Sequence, residues 1–468
     1  MNFRLTPLTL GTLLVSVTLA GCASTLPGVP GNGEAVGEPF TLRVVTTGLE
    51  MPWEMTLGPD GQLWVTERLG KRVVRVDPTT GRKQVAVTIP DVLAGGQHQG
   101  VLGMALHPDL LKNAGRDWVY VAYTSGTAEA PTKKIVRYTF DRASGQLTAP
   151  SLVIDKLPAG NDHNAGRLKI GPDGKLYFTM GDLGHNQFAN YCKPITSQVL
   201  PTAAEITAGN WVNYTGKTLR LNLDGSIPDD NPSLNGVVSH VFTVGHRNPQ
   251  GIDFSRQGVL YSSEQGPNTD DEVNVLERAG NYGWPNVVGY QDDQSYVYGN
   301  WSAAPNCASL TWAPYTIPDS VPQSRETEFS APNLKDALIT LWTVPNGHDF
   351  TDTPIPNTNL YRPNMAPSSI EVYESAGIPG WERSLLVPSL KHGAVYRVPI
   401  MPSGLNTRGE AIKTLPTNNR YRDTAVSNDG RTIYVITDSA GQMLGQDNQP
   451  VTDLANPGSV LAFTYTGK

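Results

Sequence analysis

The chain has 468 residues, 17% of them charged, and a formal net charge of -7, so it is long enough to bury a large core and offers no basic surface to nucleic acid. Its 47 Gly and 37 Pro stand beside plentiful Asp, Asn, Thr and Tyr, a composition of many short strands joined by tight turns that argues against a fold of long helices.

In chain order, Met1 to Arg4 carries one positive charge, Leu5 to Leu19 is mostly apolar, and Leu19-Ala20-Gly21-Cys22 follows. The apolar stretch is short for a membrane-spanning helix, and the order resembles a bacterial lipoprotein signal with Cys22 as the lipidated first residue of the mature chain. A plain secretory peptide is the alternative. Either reading makes the protein exported, and the lipoprotein reading places it in the periplasm on a lipid anchor. Residues 1–22 are thus a signal segment, the Gly/Pro-rich residues 23–38 a tether, and residues 39–468 a single catalytic domain. Beyond Cys22, Cys192 and Cys307 permit one disulfide without establishing it. Zinc-type Cys/His spacing is missing, so any metal is expected to be a hard cation held by oxygen.

A turn followed by an apolar strand with an acidic or polar end recurs along the domain. It appears at Gly58–Glu67, Gly171–Asp182, Arg256–Glu264 and Asn428–Asp438, with looser copies around Asp117–Tyr123 and Trp381–Pro388. Asp-Gly pairs reverse the chain, and the β-branched and aromatic runs suit buried central strands. One sheet per repeat gives an all-β, six-bladed β-propeller of four-stranded antiparallel sheets. In such a ring, loops distant in sequence converge near the axis.

Several loop motifs carry chemistry. Asn161-Asp162-His163-Asn164 joins an imidazole, which titrates near neutrality, to a carboxylate able to orient it. Asp182 and Gln187 close the following strand. Gly245-His-Arg247-Asn248-Pro-Gln-Gly251 sets a guanidinium and an amide in a stiffened loop, suited to a planar, oxygen-rich ligand. Lys391, Arg420 and Arg422 add cations in turns, the two arginines at alternate positions and so on one side of an extended segment. Ser263 to Glu272 is acidic and turn-forming, and Gly280 to Asn286 and Tyr290 to Asp293 follow closely, a composition that suits calcium without EF-hand spacing.

Taken together, Glu50-Met-Pro-Trp-Glu54, the Asp162-His163 loop, Lys217 to Pro228, Gly245 to Gly251, Ser263-Glu-Gln-Gly-Pro267, Gly280-Asn-Tyr-Gly-Trp-Pro-Asn286 and Asn418-Asn-Arg-Tyr-Arg-Asp423 resemble the quinoprotein glucose/sorbosone dehydrogenase family from about Pro39 to the C-terminus. The resemblance implies a pyrroloquinoline quinone (PQQ)- and calcium-dependent aldose dehydrogenase, with His163 as general base on the C1 hydroxyl and hydride passing to C5 of the quinone to leave a lactone. It implies Asp162, Asp182 and Gln187 at the sugar and base, Arg247 at the developing quinone oxyanion, and Asn248, Lys391, Arg420 and Arg422 around the quinone. It implies calcium on the carbonyls of Gly266 and Pro267, and further calcium on Glu272, Tyr282, Val288, Tyr290, Asp292 and Glu326. It also implies an external electron acceptor and a homodimer.

Two stretches depart from the family pattern. At Gly96-Gln97-His98-Gln99-Gly100 the register shifts, so that His98 takes a substrate contact unless an insertion returns Gln97 to it. At Asn357 to Pro367 the family's Tyr, Trp and disulfide-closed sugar wall are not matched, leaving Tyr361 and Arg362 to replace them. The rival readings are a calcium-dependent propeller lactonase or esterase, and a non-catalytic propeller that binds sugar or protein. Neither needs both a base and a full set of quinone cations.

Overall fold

The computed structural model describes residues 40–354 and 359–467; the expected signal segment and tether lie outside these. Six four-stranded antiparallel sheets form the ring. Blade 1 comprises Pro52–Leu57, Leu63–Glu67, Arg72–Val76 and Lys83–Thr88, and blade 2 comprises Val101–Leu106, Trp118–Gly126, Pro131–Asp141 and Gln146–Pro158. Blade 3 is built from Ala165–Ile170, Leu176–Met180, Lys217–Leu221 and Val241–Val244, and blade 4 from Pro249–Phe254, Leu260–Glu264, Asp271–Val275 and Ile339–Leu341. Glu371–Tyr373, Ser384–Pro388, Val395–Pro399 and Ile412–Thr414 make blade 5. Blade 6 joins Tyr421–Val426, Thr432–Thr437 and Val460–Tyr465 to the first described strand, Phe40–Thr46, which pairs antiparallel with Val460–Tyr465. This last pairing closes the ring with backbone hydrogen bonds between the two ends of the domain. Among the described residues, no helix is long and apolar enough to cross a membrane.

The repeated sequence unit is the turn into the second strand of each blade. All six copies fall there, the looser ones in blades 2 and 5. These strands are buried on both faces because a blade packs against a neighbour on each side, and alternate residues serve opposite neighbours. In blade 2, Val119, Val121 and Tyr123 pack toward blade 1, while Tyr120 and Ala122 pack toward blade 3. The same division gives one apolar cluster between each pair of adjacent blades.

First strands line the axis, where polar groups are buried and must find partners. Arg167 meets this need. Its Nη1 donates to Glu54 Oε2 at 2.7 Å and Asp423 Oδ2 at 2.9 Å, its Nε to the Gln250 carbonyl at 2.7 Å and its Nη2 to the Ser368 carbonyl at 2.8 Å. One guanidinium on blade 3 thereby ties blades 1, 4 and 6 and the entry to blade 5. Burial pushes the Glu54 carboxyl up to about 7 against the opposing pull of Arg167.

Arg167→Ala leaves two carboxyl groups facing each other in the channel and is expected to cost about 3–5 kcal/mol, the range for removing one partner of a buried ion pair. Denaturant unfolding checks this, and a loss below about 1 kcal/mol would assign the tie to the backbone alone.

Candidate active site

In an antiparallel four-stranded blade, the starts of strands 1 and 3 and the ends of strands 2 and 4 share one rim. The motifs singled out from the sequence sit at these positions. His163 precedes blade 3's first strand, Arg247 and Asn248 precede blade 4's, and Arg420 precedes blade 6's; Lys391 lies in the turn between the second and third strands of blade 5. A cavity of about 680 Å³ opens among them, lined by Gln97, His98, Asp162, His163, Gln187, Arg247, Gly266, Pro267, Arg362, Lys391 and Arg420, with other residues between.

His163 is held with φ +43°, and its loop closes tightly on Gly181, where a Cβ would lie 2.0 Å from the His163 carbonyl oxygen. Its Nδ1 is 2.7 Å from Asp182 Oδ1. Asp182 Oδ1 also accepts from the Gly184 amide at 2.9 Å, and Oδ2 accepts from Trp284 Nε1 at 2.9 Å. A carboxylate fixed this way accepts a hydrogen bond from Nδ1–H, keeping the proton on Nδ1 and leaving Nε2 as the basic nitrogen. Nε2 has the Gln187 amide nitrogen at 3.3 Å and Asp162 Oδ2 at 3.9 Å. Gln187 in turn accepts from Arg247 Nη2 at 3.1 Å, and Arg247 Nη1 donates to the Gln265 carbonyl at 3.0 Å. A continuous polar chain therefore runs from Asp182 through His163 and Gln187 to Arg247.

The opposite walls differ in charge. Asp162 stands on the base side, 2.9 Å from His98 Nδ1. Burial alone would raise its carboxyl, but His163 and His98 overcome this and hold it far below the carboxylate range. Arg247, Arg362, Lys391 and Arg420 line the same cavity. Lys391 Nζ donates to Asn364 Oδ1 and the Arg362 carbonyl, each at 2.6 Å, and burial pushes its ammonium well below the ordinary value of 10.5. Arg422 sits beneath, clamped on Asp438 by two 2.8 Å hydrogen bonds with its guanidinium 4.5 Å from the Trp53 ring.

Not every expected residue reaches the cavity wall. Asp182 is 1% exposed and lies behind the imidazole, every oxygen engaged by protein donors, so it positions His163 where a sugar contact was expected. Tyr361 packs with Leu360 and Leu444 and does not itself line the cavity, whereas its neighbours Leu360 and Arg362 do. Asn248 and Arg422 lie one layer below the lining. Both Gln97 and His98 line the cavity, so the register shift brings the two alternatives to one place.

Three buried donors there have no acceptor within the protein: Arg247 Nε, Asn248 Nδ2 and Arg422 Nη1. With Lys391 and Arg420 they form a donor-rich, cationic bed that fits a planar polycarboxylate such as PQQ. The backbone of Gly266 and Pro267 forms the rim beside it, the Pro267 carbonyl accepting from Arg362 Nη1 at 3.0 Å.

A second acidic centre lies farther out on blade 4. The loop from Val288 to Asp293 is held between Glu272, which accepts from the Gly289 amide at 2.6 Å, and Glu326, which accepts from the Val288 and Asp293 amides at 2.8 and 3.0 Å. Burial pushes Glu272 well up and Glu326 up to about 7, and their neighbour Asp270 up to about 8 with one oxygen unpartnered. No salt bridge joins these three to a Lys or Arg among the described residues. Carboxyl and backbone oxygens are the ligands calcium takes, but among the described residues no three His, Cys, Asp or Glu side chains are gathered closely enough to hold a metal ion. Asp292 and the backbone of Tyr290 belong to the same loop, whereas the Tyr282 hydroxyl is turned away, donating to the Val275 carbonyl at 2.5 Å.

Sequence reasoning missed Asp438, Asp271 and Trp284 as supports. Asp271 accepts from Gly266, Met365 and Ala366 amides and so joins two walls of the cavity. The available signal for Asp438 was its place at the acidic end of a repeat.

A family model described as "Glucose / Sorbosone dehydrogenase" matches residues 49–331 and 344–445. The chain is 42% identical over 466 residues to quinoprotein glucose dehydrogenase B of Acinetobacter calcoaceticus, covering 97% of this chain and 96% of that one. It is 25% identical to the aldose sugar dehydrogenase YliI of Escherichia coli over 86% of this chain and 91% of that one. Among solved structures, the PQQ-bound aldose sugar dehydrogenase of Streptomyces coelicolor superposes with a TM-score of 0.61 at 26% identity, covering 91% of this chain and 98% of that one. On this match across nearly its whole length, and with the propeller rim built as described, the chain belongs to the glucose/sorbosone dehydrogenase family.

Proposed function

We propose that this oxidoreductase is a PQQ- and calcium-dependent sugar dehydrogenase that oxidises the C1 hydroxyl of an aldose to the lactone and passes its electrons to an external acceptor. The observation that carries this reading is the Asp182–His163 hydrogen bond, which leaves Nε2 facing a cavity whose far wall is cationic. Bound PQQ supplies a carbonyl carbon that accepts hydride from C1, with a calcium ion sharpening it as a Lewis acid.

The chain's own residues do the rest. His163 Nε2 takes the C1 hydroxyl proton as hydride leaves the same carbon, so the sugar loses two electrons and two hydrogens. Asp182 and the ionised Asp162 stabilise the imidazolium that results. Gln187 orients the hydroxyl, and Gln97 or His98 a neighbouring one. Arg247 and Asn248 offer donors to the carbonyl oxygen that gains charge, while Lys391, Arg420 and Arg422 hold carboxylates. Gly266 and Pro267 would hold the calcium beside the quinone through backbone oxygen. Glu272, Glu326, Asp292 and the backbone of Tyr282, Val288 and Tyr290 would hold further calcium, with Asp270 beside them.

The testing experiment is dye-linked oxidation of an aldose panel by chelator-stripped protein given calcium and PQQ singly and together. Activity with both and with neither alone is expected; none with both, from a folded protein, would turn attention to ester and lactone substrates. His163→Ala is expected to retain PQQ binding and lower kcat by about 10²–10⁴, and Asp182→Asn to lower kcat with little change in KM because it disturbs the imidazole's tautomer. Single-turnover rates check both.

Lys391 makes PQQ binding pH-dependent. Its amine is held below the ordinary value, so above that lowered value the unliganded protein must take up a proton to pair with a carboxylate. Affinity should therefore fall as pH rises through the window below 10.5, by at most about tenfold per unit, and Lys391→Met should flatten the dependence while weakening binding at neutral pH. Equilibrium titration by absorbance measures it.

A further inference from the structure

A second cavity, of about 690 Å³, opens beside the first and shares Gln187, Phe188, Pro267 and Arg362 with it. Its wall is aromatic. Phe188, 48% exposed, meets Trp312 with ring centroids 4.6 Å apart, and Tyr315 stacks on Phe350 at 5.3 Å with the planes 6° apart. Arg362 stands at the seam, its Nε donating to the Tyr315 hydroxyl at 2.8 Å and its Nη1 to the Pro267 carbonyl at 3.0 Å.

This wall is a built structure outside the blades. Trp301, Ala304, Cys307 and Val321 form a separate small core, with Tyr191, Cys192, Trp312 and Ile317 packed against it. The Cys192–Cys307 disulfide staples the segment after blade 3's second strand to the insertion within blade 4, 115 residues away. Across the same joint, Asn186 Nδ2 donates to the Gly299 carbonyl at 2.8 Å and Tyr191 to the Leu310 carbonyl at 2.9 Å. None of these contacts closes the propeller ring. They fix partly open aromatic faces next to the base.

The chemistry of the wall selects its ligand. Apart from two histidines, the charged side chains among the described lining residues are Arg362 and Asp349, and Asp349 accepts from Thr351. Aromatic faces interleaved with neutral amides such as Asn268 and Gln323 suit an uncharged molecule with apolar C–H faces and hydroxyl edges. Because the two cavities are continuous, that molecule can be part of the one being oxidised.

We propose that this cavity is a second carbohydrate subsite, which receives the glycosyl units attached to the reducing-end sugar held at His163, so that reducing oligosaccharides are preferred over the free monosaccharide. The proposal rests on the dehydrogenase reading for its kinetics and stands apart from it in binding. Calorimetry of the quinone-free protein with maltotriose and cellotriose is expected to show at least one binding, with affinity lowered about tenfold or more in Trp312→Ala and restored in Trp312→Phe. In the holoenzyme, Trp312→Ala should lower kcat/KM for the bound trisaccharide by a similar factor and leave glucose within about twofold. Equal loss on glucose and trisaccharide, no loss on either, or binding of a soluble quinone in place of both trisaccharides would overturn it. A wild type that binds a trisaccharide through Trp312 yet oxidises no sugar would instead sink the dehydrogenase reading alone.

Discussion

The guanidinium of Arg167 at the ring axis is the constraint on which the rest depends. Six sheets meeting around a narrow channel bring carboxyl groups and carbonyls from their first strands together, and a buried charge there is tolerable only when paired and hydrogen-bonded. Arg167 pairs with Glu54 and Asp423 and fills the vacant acceptor capacity of Gln250 and Ser368. It is also four residues beyond His163 in the same run of chain. Asp423, its partner, directly follows Arg422. The interaction that sets how the blades converge therefore also sets the distance between the base wall and the cationic wall.

The recurring unit of the sequence has a second meaning at this rim. Its acidic ends are Glu67, Asp182, Glu264 and Asp438, and each supports a neighbouring group. Glu67 accepts from the Glu50 amide and pairs with Arg72; Asp182 fixes His163; Glu264 holds His246 Nδ1 at 2.8 Å and the Arg247 amide; Asp438 clamps Arg420 and Arg422. The end of a second strand is buried and faces the loop that enters the blade's own first strand. At that point Asp182, Glu264 and Asp438 meet an imidazole or guanidinium at the entry to the first strand, whereas Glu67 meets the Glu50 amide of its loop and Arg72 of the third strand. One sequence position, repeated, thus serves as a support in four blades.

That regularity explains what could be read from sequence and what could not. The propeller, its blade count and the loops bearing His163, Arg247, Lys391 and Arg420 follow from turns and apolar strands, which are local. Asp182 and Tyr361 were placed in the right loops but stand off the wall where substrate contacts were expected, because a loop's sequence does not state which way its backbone turns. The positive φ of His163 and the packing of Tyr361 on Leu444 are tertiary outcomes. The Cys192–Cys307 pairing and the aromatic wall it holds depend on two insertions from different blades, which no periodicity links.

On the proposed reaction, the polar chain from Asp182 to Arg247 resolves a conflict between the two walls. A base needs nearby negative charge to hold the proton it gains, whereas a hydride acceptor needs positive charge, and in one small cavity the two fields would cancel if placed together. Here the ionised Asp162 lies beside His163, and the neutral amide of Gln187 stands between His163 and Arg247. Gln187 donates toward Nε2 and accepts from Arg247, so it transmits orientation without carrying charge. When a substrate hydroxyl takes its place at Nε2, the amide is already aimed at that oxygen, and Arg247 stays fixed through Gln265 and Glu264. Separation of charge by a polar but uncharged side chain lets one cavity favour proton loss and hydride loss from the same carbon centre.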